Sequence, residues 1–266
     1  MKLSRQLVAQ SHKHIFPTFS SYRKFGLSKP LFNGQIDTFF QKVTQGDASS
    51  VRSLLVNDKE LLKHKYDGVD NQEKVLAFTI AAQNGCYDVL EAMIEADPNL
   101  IKMEEEFQRS KDGLSALQQI IANLGEVIMG WKPAPTPLQN MNVDRHRCIY
   151  LLVSSGTCDL NFNRSDGWTP LMLASRFGLY HVVSMLIEHG ASLTLKAAQG
   201  QTALHVAAEF ERTPVALLLL SHDASLADVK DHRGDDFFSI VEQDQKDFAL
   251  KLLSYGIEEI NKHWKY

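Results

Sequence analysis

Cysteine is scarce in this chain, with three in 266 residues: Cys86, Cys148 and Cys158, none at C-x-x-C spacing. An odd number of scattered thiols argues against a disulfide framework and predicts free thiols in a reducing compartment. Long apolar runs are also missing. No stretch of about 18 apolar residues occurs, which leaves no candidate for a membrane-spanning helix. The apolar h-region of a secretory signal is lacking, so none is expected. Motifs for phosphate loops (G-x-x-x-x-G-K-[ST]), serine hydrolases (G-x-S-x-G), zinc proteases (H-E-x-x-H) and kinases do not occur. A net charge of −4 is too small to imply a nucleic-acid partner. Residues 1–36 lack Asp and Glu altogether. They hold Lys2, Arg5, Lys13, Arg23, Lys24 and Lys29, so this segment carries +6 and the remainder −10.

What is present reads as a folded protein, 44% hydrophobic and 23% charged. The length is near the ceiling for a single core, a ceiling that does not apply to stacked repeats. Residues 1–34 are basic and contain Ser4, Ser11, Ser20, Ser21 and Ser28. Three readings fit them: a cap packed on the adjoining folded chain, a mitochondrial targeting peptide, or a contact with an anionic membrane. Phe16, Phe19, Tyr22 and Phe25 recur at helical spacing, interrupted by Pro17, and Phe32 comes next. So many rings are costly to leave in water, which favours packing.

Internal similarity dominates the rest. Asp166 to Ala191 reads DGWTPLMLASRFGLYHVVSMLIEHGA, and Gly200 to Ala224 answers it 33 residues on as GQTALHVAAEFERTPVALLLLSHDA. Gly167 maps to Gly200, Thr169 to Thr202, Leu171 to Leu204, Ala174 to Ala207, Leu186 to Leu219 and Ala191 to Ala224. This period, with its T-P-L-H-x-A-like core, resembles the ankyrin repeat. The resemblance implies an all-α solenoid of about six helix-turn-helix units with short hairpin turns and degenerate caps. Residues 35–266 are expected to form it, in units of about 35–62, 71–101, 110–162, 163–195, 196–229 and 230–260. Gly167, Gly200 and Gly234 fall where positive φ is needed. Thr169-Pro170 and Thr202 are expected helix starts, and His205 is a structural imidazole bonded to neighbouring turns.

The earlier units are read from periodicity. Asp37 caps a helix through Phe39, Phe40 and Val43; Gly46 and Asp47 reverse the chain; Val51, Leu54 and Leu55 line a second helix. Lys63 to Asn71 is expected to be a loop. Ala81 and Ala82 allow close helix packing, Gly85 closes that helix, and Val89, Leu90, Met93 and Ile94 form the next apolar stripe. From Leu117 to Leu171 is 54 residues, 21 more than one period. The excess is placed at 127–143, where Pro133, Pro135 and Pro137 alternate and favour extended chain. Phe237, Phe238, Ile240 and Val241 open a degenerate terminal unit, with Asp236 where the pattern has Thr.

Little chemistry is legible. Asp144, His146 and Cys148 lie close together, but Cys148 begins an apolar stripe and reads as a buried thiol. His12 and His14 lack further zinc ligands, and Glu104 to Glu106 read as a solvated loop. No catalytic residue, metal or cofactor is expected. In the family, partners lie against a concave face of hairpin tips and first helices. The matching positions here are Asp166, Trp168, Arg176, Phe177, Gln199, Gln201, Glu209, Phe210, Arg233 and Asp235. Trp168, Phe177 and Phe210 are expected to be exposed there, and aromatic plus Arg is the composition of interface hot spots. The resemblance thus implies a non-enzymatic, monomeric adaptor that binds a partner protein and no nucleic acid. Two alternatives stand: a small enzymatic site in the N-terminal segment or the 127–143 loop, and a membrane- or organelle-associated adaptor acting through residues 1–34. Irregular spacing and degenerate caps are similar in style to effectors that intracellular bacteria secrete into host cells. Otherwise a cytoplasmic location is expected.

Overall fold

The computed structural model describes residues 34–67, 74–110, 112–130 and 141–244. The expectations for the basic segment before residue 34, for the prolines of the insertion and for the tail after residue 244 lie outside these residues.

Helices come in antiparallel pairs. The first is α1 (Gly34–Gln45) with α2 (Ala48–Asn57), followed by a single 3-10 turn, Lys59–Lys63. Asp37 sits inside the first turn of α1 rather than at its cap. Asp47 does the capping, of α2, by accepting the Ser50 N–H at 3.1 Å. The predicted loop at 63–71 is in part a hairpin strand: β1 (Lys65–Asp67) pairs antiparallel with β2 (Lys74–Leu76), Tyr66 opposite Val75. Its strands lead directly into α3 (Ala77–Asn84), which Gly85 ends, and α4 (Tyr87–Ala96). Asp97-Pro98 stops α4, since proline cannot continue it.

An additional helix, α5 (Leu100–Ser110), then packs across α3, α4 and α6 (Ala116–Ile128). This overturns the solvated-loop reading of the acidic run. Glu106 is exposed, but Glu104 and Glu105 lie on the buried face beside Leu100 and Ile101. After α6 comes α7 (Met141–Ser154), so Val127, Ile128 and residues 141–143 of the expected loop belong to helices. Two regular pairs come next, α8 (Pro170–Phe177) with α9 (Tyr180–Glu188) and α10 (Ala203–Glu209) with α11 (Thr213–His222). A 3-10 turn (Ala224–Asp228) leads to α12 (Phe237–Asp244).

First helices pack side by side in chain order, α1, α3, α6, α8, α10, α12. Second helices make a parallel layer, α2, α4, α7, α9, α11. The core is the seam between the layers. Phe78, Leu117, Leu171 and Leu204 repeat at one position of the first helices, and Leu90, Leu152, Leu186 and Leu219 answer from the second, all fully buried. Each such side chain contributes roughly 1.5–3 kcal/mol by leaving water. Among the described residues no helix is long and apolar enough to cross a membrane.

Candidate binding face

Three tight turns recur before α8, α10 and α12. In each, a glycine N–H donates to the carbonyl three residues back: Gly167 to Arg164 (2.9 Å), Gly200 to Ala197 (2.8 Å) and Gly234 to Asp231 (3.2 Å). Their φ values are 76°, 80° and 88°, a region cheap only for glycine. Stacking adds a second demand at the first two. A Cβ on Gly167 would lie 2.8 Å from Ala197 Cα, and one on Gly200 2.7 Å from His232 N. The tips are tied to one another. Ala198 N–H donates to Asp166 O (2.8 Å) and His232 N–H to Gln199 O (3.0 Å). One step earlier the Asp112 carboxylate accepts from Ser165 N–H (2.7 Å) and Oγ (2.6 Å).

Side chains at the helix starts lock these turns to the helices. Thr169 Oγ1 accepts the Met172 N–H (3.3 Å), ahead of Pro170, whose missing N–H costs nothing in the first turn. His205 Nδ1 accepts from Thr202 N–H (3.2 Å) and its hydroxyl (2.8 Å), which leaves Nε2–H to donate to Asp235 O (3.3 Å) in the next turn. Burial holds its pKa below the ordinary histidine value. Gln118 occupies the same position in α6 and does the same work. It accepts from Ser115 N–H (3.2 Å) and donates to Trp168 O (2.8 Å) and Phe162 O (3.2 Å). Asp236 replaces Thr as a cap, accepting Ser239 N–H at 2.9 Å.

The face built on this frame brings the candidate residues together, though not as expected. Trp168 and Phe177 were expected to be exposed; they are 8% and 7% exposed, and Arg176 is 4% exposed. The Arg176 guanidinium lies 5.0 Å from the Phe210 ring centre, 5.7 Å from Phe177 and 5.9 Å from Trp168. Phe177 is seated directly on Gly125 of α6, which has no side chain to obstruct it. Three rings and a guanidinium thus satisfy each other across α6, α8 and α10, and little of Trp168, Arg176 or Phe177 is left for a partner. Phe210 is half-buried, Glu209 and Gln199 are exposed, and Gln201 Nε2–H donates to Glu209 Oε2 (3.1 Å). Arg233 is exposed, Asp166 and Asp235 are half-buried, and each of the three is held in an ion pair: Arg164–Asp166 at 2.8 Å, Arg233–Asp235 at 3.3 Å.

The family model for ankyrin repeats (3 copies) matches residues 139–231. This part of the chain is made of ankyrin repeats. No curated protein matches the chain. The matched residues run from α7 to the start of the turn before α12 and include the turns at Gly167 and Gly200, the caps Thr169 and Thr202, and His205.

Outside that match the helix pairs are joined by different residue types, and there partners were missed in the sequence. Gln118 standing for His was detectable, since it lies three residues after the cap Ser115, as His205 does after Thr202. Glu104 was not. Its Oε2 accepts the Ala116 N–H (3.1 Å) at the start of α6, and Thr79 Oγ1 donates to its Oε1 (3.3 Å). Burial pushes this carboxyl up to about 8, against the hydrogen bonds from Ala116, Gln108 and Thr79. Glu105 accepts Asp159 N–H (2.8 Å), and burial raises its pKa as well.

The cysteines are thiols. Burial pushes Cys148 up to about 12 and Cys86 up to about 11, far from the depressed values of nucleophilic cysteines. Among the described residues no group of three His, Cys, Asp or Glu could hold a metal ion.

Proposed function

We propose that this ankyrin-repeat protein is an adaptor that grips a partner protein on the face made by its turn tips and first helices. Ankyrin repeats are in general protein–protein interaction modules. The observation that carries the reading is the tied row of tips. Hydrogen bonds at successive junctions fix the exposed or half-exposed Gln199, Gln201, Glu209 and Phe210 on one pre-ordered surface. Such a surface loses little conformational entropy on binding, which favours affinity.

Phe210 is the residue to test. Its ring is the half-exposed member of the aromatic cluster, whereas truncating Trp168 would disturb packing as well as contact. Affinity capture with wild type beside Phe210→Ala, read by mass spectrometry, is expected to lose the specific partners in the variant, by about tenfold or more. Circular dichroism serves to show that the variant remains folded. Capture of the same partners at undiminished yield by folded Phe210→Ala would refute the assignment of the face.

A further inference from the structure

Two arginines sit on equivalent glycines, and only one finds a partner there. Arg145 lies three residues before Cys148 as Arg212 lies three before Val215, each at the start of a second helix. Arg212 lies over Gly178, which ends α8: a Cβ there would be 2.9 Å from Arg212 Cδ. Its Nε–H donates to Arg176 O, two residues before that glycine, at 2.8 Å, and its Nη2 reaches Met129 Sδ at 3.5 Å. Arg145 lies the same way over Gly85, which ends α3: a Cβ there would be 2.9 Å from Arg145 Cγ and 3.6 Å from its Nε. The matching carbonyl, Gln83 O, accepts the Asn123 Nδ2–H instead, at 3.2 Å. Arg145 is 4% exposed, and its Nε and Nη1 have no hydrogen-bond partner. Asp144 acts on it through space alone, and burial holds its pKa below the ordinary arginine value.

A guanidinium withdrawn from water with unpaired N–H groups is costly, so this seat calls for an acceptor that the fold itself does not supply. An anion matches a guanidinium best, and α4 adds a second reason for one. It begins at Cys86, next to Gly85, with no side chain capping its first turn, and the positive end of a helix favours negative charge. Gln83, Asn84 and Cys86, which flank Gly85, and Asp144 are half-buried rather than sealed, so a small group reaches this spot from solvent. We infer that Arg145 receives a carboxylate here, at the C-terminal ends of the first helices and away from the tips. A single negative charge balances one guanidinium, whereas Asp88 in the first turn of α4 and Asp144 oppose a doubly charged phosphate. The carboxylate belongs either to an Asp or Glu side chain of a bound protein or to a free small acid.

The full-length protein, with isotope-labelled arginine, is titrated by nuclear magnetic resonance with sodium acetate, with an acetylated and amidated Gly-Glu-Gly peptide and with its Gly-Gln-Gly counterpart. Sodium chloride at equal ionic strength is the reference. The Arg145 Nε–H resonance, assigned from its absence in Arg145→Met, is expected to shift and saturate with acetate at a Kd on the order of millimolar. Chloride and the Gln peptide are expected to leave it in place. A matching shift with the Glu peptide, together with a loss of about tenfold in partner capture by Arg145→Met, assigns the carboxylate to a bound protein. A shift with acetate alone assigns it to a free small acid. Stability gives a second readout. In chloride, Arg145→Met is expected to unfold at the same urea midpoint as wild type or a higher one, because it removes an uncompensated buried charge, and Arg212→Met at a lower one. No saturable shift with either carboxylate probe, or a drop in midpoint for Arg145→Met as large as that for Arg212→Met, overturns the inference. The resonance is read with no protein partner present, so its outcome is independent of the Phe210 assignment.

Discussion

Single side chains here do the work of registering one repeat on the next. His205 and Gln118 occupy equivalent positions, each accepting from its own helix cap and donating to a carbonyl of the following turn. Histidine with Nδ1 unprotonated and glutamine are alike in this respect: one acceptor and at least one donor, at about the same reach. A thioether has no N–H to donate. Gln118→Met is therefore expected to leave Trp168 O and Phe162 O without partners and to cost roughly 2–3 kcal/mol, while Gln118→His is expected to lie near wild type. Urea denaturation of the three proteins checks this. Equal stability of the methionine and wild-type proteins would show that the bonds of Gln118 are energetically idle. Met172, in α8 at the same position, shows that one junction can do without such a bond. That junction keeps the backbone tie of Ala198 N–H to Asp166 O, which has its counterpart at the His205 junction in His232 N–H to Gln199 O.

Among the elements, α5 is the one that departs most from the repeat, and it is held by an unusual device. Its Glu104 reaches across to the first N–H of α6 and to Thr79 of α3, with Gln108 and Glu105 of its own helix beside it. A folded-state pKa of about 8, above the ordinary 4.5, means that folding favours the protonated acid. The contribution is complete below the ordinary value and is lost as pH rises from there through about 8. Glu104→Gln keeps an acceptor for the Ala116 N–H without a charge to bury, and its amide NH2 replaces the oxygen to which Thr79 donates. Its advantage over wild type is expected to be small near pH 5 and to grow to on the order of a few kcal/mol by pH 9. Denaturant midpoints measured across that range check it, and a pH-independent difference would mean that the carboxyl titrates normally. This helix was not legible in the sequence because its inward face is more polar than apolar. Leu100, Ile101, Glu104, Glu105 and Gln108 share a helical stripe that reads as solvent-facing until the partners are known. Helices whose inner face is apolar, such as α4 and α9, were legible in full. The same limit applies to the candidate site: spacing placed Trp168, Arg176, Phe177 and Phe210 on one face, but whether a ring points outward or into a neighbour depends on Gly125, two helices away in the chain.

At the scale of the whole molecule, each inner first helix, α3, α6, α8 and α10, touches the one before it, the one after it and its own second helix. The helix α10 packs on α8, α11 and α12, with α3 and α4 beyond its reach. The 33-residue period exposed this arrangement in the sequence, because a repeat that cannot bury its own faces must stack. Stability in such a stack is a sum of local terms, so a defect should be felt by neighbours and fade with distance. Leu204, fully buried in α10, provides the test. Leu204→Ala is expected to cost about 2–5 kcal/mol through lost burial and a residual cavity. Hydrogen exchange read by mass spectrometry is expected to show lost protection in α8, α10, α11 and α12, with α3 and α4 close to wild type. The α5 helix, joined to α3, α4 and α6, should hold that end of the array together as a separate cooperative block. A uniform loss of protection from α1 to α12 would instead mean that the chain unfolds as one unit, with coupling between repeats stronger than the stability of any one of them.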